Sequence, residues 1–386
     1  MTNIKPFPIS LPERDLEDLR ERLDRVRLPE TETVQDGTQG IGVKRLATLL
    51  GAWRQHDWRS LEKRWNAIPH FRTELDGLNI AFWHVRSPEP NALPLVLTHG
   101  WPGSVLEFEK VIGPLTNPVA HGGSASDAFD VVVPALPGFG FSERPKERGW
   151  NPGRTARAWA DLMTRLGYER FGAHGGDWGA FVSTELARLV PERVAALHLT
   201  MPLAGPLPED VATADEAEQR MNAKRAAFQR TGPTHVIVQG VLPQTLGYSL
   251  VDSPSGLAAW LGEALVGFSD TRPEAGGGVT LAQQVDDIAL YWFTRTGAST
   301  ARWYWEALRW SPRSAEEQNA QPVSVPTACT LFPAEPFPVA RRWAERRYQN
   351  LISWNEMEYG GHYPGLETPD LLVSELRNAF RQARGR

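Results

Sequence analysis

Apolar and polar positions alternate with two different rhythms along this chain. Between residues 92 and 202, short apolar runs are interleaved with helical periods. LPLVLTHG (93–100) reads as a buried strand that ends in a glycine turn. FDVVVPALPGFGFS (129–142) reads as a strand followed by a Gly/Pro loop, and RFGAHGGDWG (170–179) as a strand entering a tight turn. TARAWADLMTRLGY (155–168) and AFVSTELARLV (180–190) carry helical spacing, and RVAALHLTMP (193–202) is the next strand. The alternation resumes late in the chain. VPTACTLFPAE (325–335) is a strand and loop, NLISWNEMEYGGHY (350–363) a strand ending in Gly-Gly-His, and DLLVSELRNAFRQA (370–383) a closing helix. Strands and helices joined by short links predict an α/β fold, with a mostly parallel sheet and helices on both faces.

Two stretches break this rhythm. Residues 1–90 open with Ser10-Leu11-Pro12-Glu13, a capping-box pattern, followed by Leu16, Leu19, Leu23 and Val26 at helical spacing up to Pro29. A second amphipathic helix is predicted from about Val43 to Trp65, and residues 70–86 read as a hairpin turning at Asp76-Gly77. Residues 203–320 are mostly helical, including the long run LAQQVDDIALYWFTRTGASTARWYWEALRW, and read as an insertion rather than another βα unit. The predicted division is therefore 1–90, a core in two parts (91–202 and 321–386), and the insertion 203–320. Gly276-Gly277-Gly278 and residues 311–326 read as loop and linker.

The chemistry concentrates at Gly175-Gly176-Asp177-Trp178-Gly179. G-x-nucleophile-x-G between a strand and a helix is the nucleophile elbow of α/β-hydrolases, here with aspartate where serine is usual. The triad in that fold runs nucleophile, acid, histidine. Asp177 is followed by Glu335, just after one strand, and by His362, just after the last; each lies at the C-terminal end of its strand. Taken singly, His362 is an ordinary loop histidine and Glu335 a solvent-facing acid. Three residues in this order at three strand ends are harder to dismiss. His99-Gly100-Trp101-Pro102 follows the first core strand, so the N–H groups of Trp101 and Trp178 are the expected oxyanion donors. His99 itself reads as a structural loop residue.

Composition narrows the picture. Lys and Arg number 41 and Asp and Glu 46, a net charge of −5, which is not the basic footprint of a nucleic-acid binder. The one cysteine, Cys329, permits no internal disulfide and fits a reducing compartment. The N-terminus lacks a signal-length apolar run, and no stretch approaches the roughly 18 apolar residues of a membrane span. A cytoplasmic protein without a membrane anchor is expected. No metal-ligand spacing is present, so neither metal nor cofactor is expected. Fifteen tryptophans and 15 phenylalanines can line an apolar pocket as well as fill a core. A homodimer is compatible with the sequence but not fixed by it.

With these residues in place, the chain resembles the microsomal-type epoxide hydrolases over nearly its whole length. PFPISLPERDLEDLRERLDRVRLPE is similar to the family's N-terminal meander, and HGWPGS, LPGFGFS, GGDWGA, DSPSGLAAWL, ALYW, ARWYWE and GGHYPGLETPDLL to family blocks. The resemblance implies an α/β-hydrolase fold with a helical cap at 203–320. It implies Asp177 as nucleophile, Glu335 as charge-relay acid and His362 as general base. Glu335 stands 27 positions before His362, which supports it over Glu356 or Glu358. Tyr304 matches one of two cap tyrosines that hold the epoxide oxygen. The other position holds His235, a departure from the pattern; Tyr248 is the alternative partner. Trp101, Trp178 and Trp303 are the expected pocket aromatics.

A carboxylate suits this electrophile. An ionised carboxylate attacks a strained sp³ carbon directly, without a base, and the developing alkoxide needs a proton donor. The expected function is conversion of a bulky apolar epoxide, aryl-bearing ones included, to a vicinal diol through an Asp177 ester. Two rivals remain: a haloalkane dehalogenase using the same aspartate, and a non-catalytic binding protein that keeps the pocket.

Overall fold

The computed structural model describes residues 3–231, 234–311 and 314–384. Among the described residues, nine strands form one sheet: β1 (Lys5–Pro6), β2 (His70–Leu75), β3 (Leu78–Val85), β4 (Leu93–Thr98), β5 (Phe129–Pro134), β6 (Phe171–Gly175), β7 (Val194–Leu199), β8 (Thr327–Leu331) and β9 (Leu351–Glu356). Their spatial order is β1-β2-β3-β5-β4-β6-β7-β8-β9. From β5 to β9 every neighbouring pair is parallel, while β1, β2, β3 and β5 pair antiparallel. The sequence direction of the sheet reverses at β4. Its C-terminal turn therefore opens into the crevice where α/β sheets build their sites.

The N-terminal hairpin is an integral edge of this sheet. Asp76 and Gly77 both have positive φ, 48° and 78°, as a tight two-residue hairpin turn requires. The helices before it differ from the sequence reading in two ways. The first, Glu13–Asp24, is flanked by Pro12 with no side-chain cap, so Ser10 does not cap it, and it stops before reaching Pro29. The stretch read as one helix is two, Val43–Arg54 and Trp58–Asn66. Asp57 breaks it: its carboxylate accepts from the backbone N–H groups of Arg59 and Ser60, an N-cap more favourable than continuing the helix.

The stretch 203–320 contains helices and no strand among its described residues. The long helical run of this stretch forms two helices, Leu281–Thr294 and Gly297–Trp310, separated by Arg295 in the left-handed region at φ 53°. The N-terminal helices pin this cap to the core. Trp53 packs edge-on against Trp292 with centroids 5.9 Å apart, and Trp58 against Phe293 at 5.1 Å. Arg64 bridges Glu109 of the core, at 2.9 Å, and Asp286 of the cap. Arg45 Nη2 donates to the carbonyl of Gly262 at 2.8 Å. A Cβ at Gly262 would lie 2.8 Å from Leu49 Cδ2, so the two helices pack closely at this crossing. The cap in turn holds the turn after β4: Ser104 Oγ donates to Asp287 Oδ1 at 2.5 Å, and the Tyr291 hydroxyl donates to the Gly103 carbonyl at 2.9 Å.

Trp53 is fully buried in this junction. Trp53→Ala is expected to destabilise the protein by about 3–5 kcal/mol, read as a lowered urea midpoint.

Candidate active site

The elbow follows from backbone geometry. Asp177 is the first residue of the helix Asp177–Leu189 and sits at φ 47°, a conformation L-residues rarely adopt. The turn is tolerated because its neighbours lack side chains. A Cβ on Gly175 would lie 2.1 Å from the Gly179 carbonyl oxygen, and one on Gly179 would lie 1.8 Å from the Thr98 carbonyl oxygen. Gly100 is equally constrained, since its Cβ would lie 2.1 Å from Asp177 Oδ1. That close approach lets the Trp101 N–H donate to Asp177 Oδ1 at 2.8 Å. Trp178 is the second residue of the helix, where a backbone N–H has no intrahelical acceptor.

The residues expected from the sequence meet here. His362 Nδ1 lies 2.7 Å from Glu335 Oε2, and the other oxygen of Glu335 accepts from the Phe337 N–H at 3.1 Å. Glu356 instead accepts from the Trp354 indole at 3.2 Å on the surface, and so the geometry selects Glu335. His362 Nε2 faces Asp177 Oδ2 at 3.4 Å, within ion-pair range but not aligned as a hydrogen bond. The side chain of His362 is 3% exposed and that of Asp177 21%, so the carboxylate is the more accessible of the pair. Burial disfavours the imidazolium, yet the Glu335 and Asp177 carboxylates outweigh it and hold the His362 pKa well above the usual value.

Above the carboxylate lies an aromatic cage. Tyr304 stands edge-on to Trp178 at 4.9 Å and to Trp101 at 5.7 Å between centroids. Burial first, then the nearby Asp177 charge, hold its phenol well above its usual pKa, so it remains a proton donor. His235 stacks on Trp101 at 5.0 Å and meets Tyr304 edge-on at 5.7 Å. The structure thus brings His235 beside Tyr304 and Trp101, whereas Tyr248 is 71% exposed. Trp303 packs edge-on to Trp178 at 6.4 Å. His99 is buried and structural: its Nε2 accepts from the Leu136 N–H at 3.1 Å, and burial pushes its pKa down to about 4. Two residues escaped the sequence reading. Phe268 touches both His235 and His362, with no motif to mark it, and Tyr363, beside His362, packs edge-on to that ring at 4.9 Å.

Comparison with known proteins identifies the family and the fold. Residues 4–108 match the family model "Epoxide hydrolase N terminus", and residues 94–238 match "alpha/beta hydrolase fold". A Stigmatella aurantiaca protein assigned as an epoxide hydrolase is 47% identical over 99% of this chain and 86% of its own length. The chain belongs to the epoxide hydrolases. Epoxide hydrolase 1 of Oryctolagus cuniculus is 34% identical over 97% of this chain and 88% of its own. Among solved structures, the juvenile hormone epoxide hydrolase of Bombyx mori superposes with a TM-score of 0.88 at 27% identity, covering 100% of this chain and 96% of that one. The α/β-hydrolase fold is thereby established. Among the described residues no helix is long and apolar enough to cross a membrane, and no cluster of His, Cys, Asp or Glu forms a metal site.

Two outcomes are expected. Gly100→Ala displaces the Asp177 carboxylate and lowers epoxide turnover by about 100-fold or more, with far-UV circular dichroism unchanged. The His362 pKa, followed by ring ¹⁵N shifts, falls in both Asp177→Asn and Glu335→Gln, because each removes a carboxylate that stabilises the imidazolium.

Proposed function

We propose that this enzyme opens a bulky, apolar epoxide, aryl-bearing ones included, to a vicinal diol through an ester on Asp177. The observation that carries this reading is the pairing of a carboxylate fixed by the Trp101 N–H with a buried, protonated phenol above it. A carboxylate attacking an epoxide carbon generates an alkoxide, and a phenol proton meets that need; a departing halide would have no use for it. Trp101, Trp178 and Trp303 would enclose the apolar substituents.

The proton count closes within the site. In the resting enzyme Asp177 is ionised and His362 carries a proton between two carboxylates. Asp177 attacks the epoxide carbon, the C–O bond of the ring breaks, and the alkoxide takes the Tyr304 proton. Esterification removes the Asp177 charge, so His362 loses the partner that raised its pKa and returns a proton to the Tyr304 phenolate. Neutral His362, oriented by Glu335, then takes a proton from water as that water attacks the Asp177 carbonyl carbon. The oxyanion rests on the N–H groups of Trp101 and Trp178. Collapse breaks the bond between that carbon and the diol oxygen, the diol takes the remaining proton, and Asp177 and protonated His362 are restored. His235, beside Tyr304, is assigned the second contact to the epoxide oxygen.

Single-turnover hydrolysis of styrene oxide in ¹⁸O-water tests this order. Label is expected in Asp177 after the first turnover and not in the diol; a labelled first-turnover diol means direct attack by water. Tyr304→Phe is expected to slow ester formation by about 100-fold or more while leaving ester hydrolysis less affected, resolved by rapid quench.

A further inference from the structure

One acidic group beside the site has no part in the chemistry above. Glu107 lies on the short 3₁₀ turn Val105–Phe108, which continues the loop that carries Trp101. It is 8% exposed, and its carboxyl meets no hydrogen-bonding or ion-pairing partner among the described residues. Its backbone and Cγ fit against Gly365, three residues beyond His362, where a Cβ would lie 2.3 Å from the Glu107 carbonyl oxygen and 3.2 Å from its Cγ. Its Oε2 lies 3.5 Å from the position a Cβ would take on Gly103, two residues beyond Trp101. Glu107 is therefore wedged between the oxyanion loop and the histidine loop. The charges that face it are His362, Asp177, Asp287 and Glu367, three of them carboxylates. Burial, more than those neighbours, pushes its pKa up to about 8, so at neutral pH it is mainly the uncharged acid.

A buried carboxyl without a partner is costly, and such groups persist in native proteins where they serve a bound molecule. The molecule this site lacks a holder for is the hydrolytic water. It must sit beside His362 Nε2, which has no hydrogen-bond partner of its own, and a buried water needs about 2–4 polar contacts. We propose that Glu107 is the second anchor of the hydrolytic water, accepting one of its hydrogens while His362 Nε2 takes the other. The Glu107 carboxyl gains and loses no proton in the cycle; it fixes the water oxygen on the line to the Asp177 carbonyl carbon. This role rests on the ester mechanism proposed above.

Two near-isosteric variants test it by rapid quench with styrene oxide. Glu107→Met removes every hydrogen-bonding atom, and Glu107→Gln keeps a neutral acceptor of the same shape. Glu107→Met is expected to form the Asp177 ester within about threefold of the parent rate and to hydrolyse it at least about tenfold more slowly, so ester accumulates. Glu107→Gln is expected to restore hydrolysis to within about threefold of the parent. The melting temperature of Glu107→Met is expected to equal or exceed the parent's, because an apolar group replaces an unpaired buried acid. Unchanged hydrolysis in Glu107→Met, equal slowing of both steps, or a lowered melting temperature would each overturn the proposal. Failure of the parent enzyme to form an Asp177 ester sinks the underlying mechanism instead, and is seen in the same experiment.

Discussion

Asp177 turns the chain through φ 47° at the end of β6, and the site is arranged around that turn. A non-glycine residue held there costs about 1–3 kcal/mol, and the surrounding structure must over-determine it. It does so by close backbone approach. Gly175, Gly179 and Gly100 each occupy a space that a methyl group would fill with another residue's atoms. The same crowding delivers the Trp101 N–H to the carboxylate. The position of the Asp177 carboxylate and its contact with the Trp101 N–H are thus consequences of one strained turn. Serine is the usual residue at such a turn; in the mechanism proposed above, the carboxylate changes the electrophile from carbonyl to strained sp³ carbon.

Charge in this site is arranged to be redistributed. His362 lies between Glu335 and Asp177, and both carboxylates favour its imidazolium. In the mechanism proposed above, forming the ester cancels one of these charges and turns the histidine from an acid into a base. Low exposure makes these couplings strong, because few waters screen them. The same burial that keeps Tyr304 protonated leaves Glu107 uncharged.

The cap and the N-terminal helices supply the rigidity. Cap residues Asp287 and Tyr291 hold the Gly103-Ser104 turn, and the tryptophans of the first helices hold the cap. A cap fixed on both sides can place Tyr304 and His235 against Trp101 without each depending on a mobile loop.

The elbow, the order of Asp177, Glu335 and His362, and the alternating core were legible in the sequence because each rests on local rules: glycine permissiveness, strand ends, and the two hydrophobic periods. Helix boundaries were less so. The breaks at Asp57 and Arg295 depend on a side-chain cap and on a left-handed residue, which periodicity does not register. Only the tertiary structure could bring His235 to Tyr304, leave Tyr248 on the surface, or add Phe268 beside His235 and His362. Those are contacts between residues far apart in the chain, set by how the cap packs on the sheet. Sequence thus determined which chemical groups are present and which turn carries Asp177. Packing determined which of them share a dielectric and a line of approach, since both depend on distances that the linear pattern does not contain.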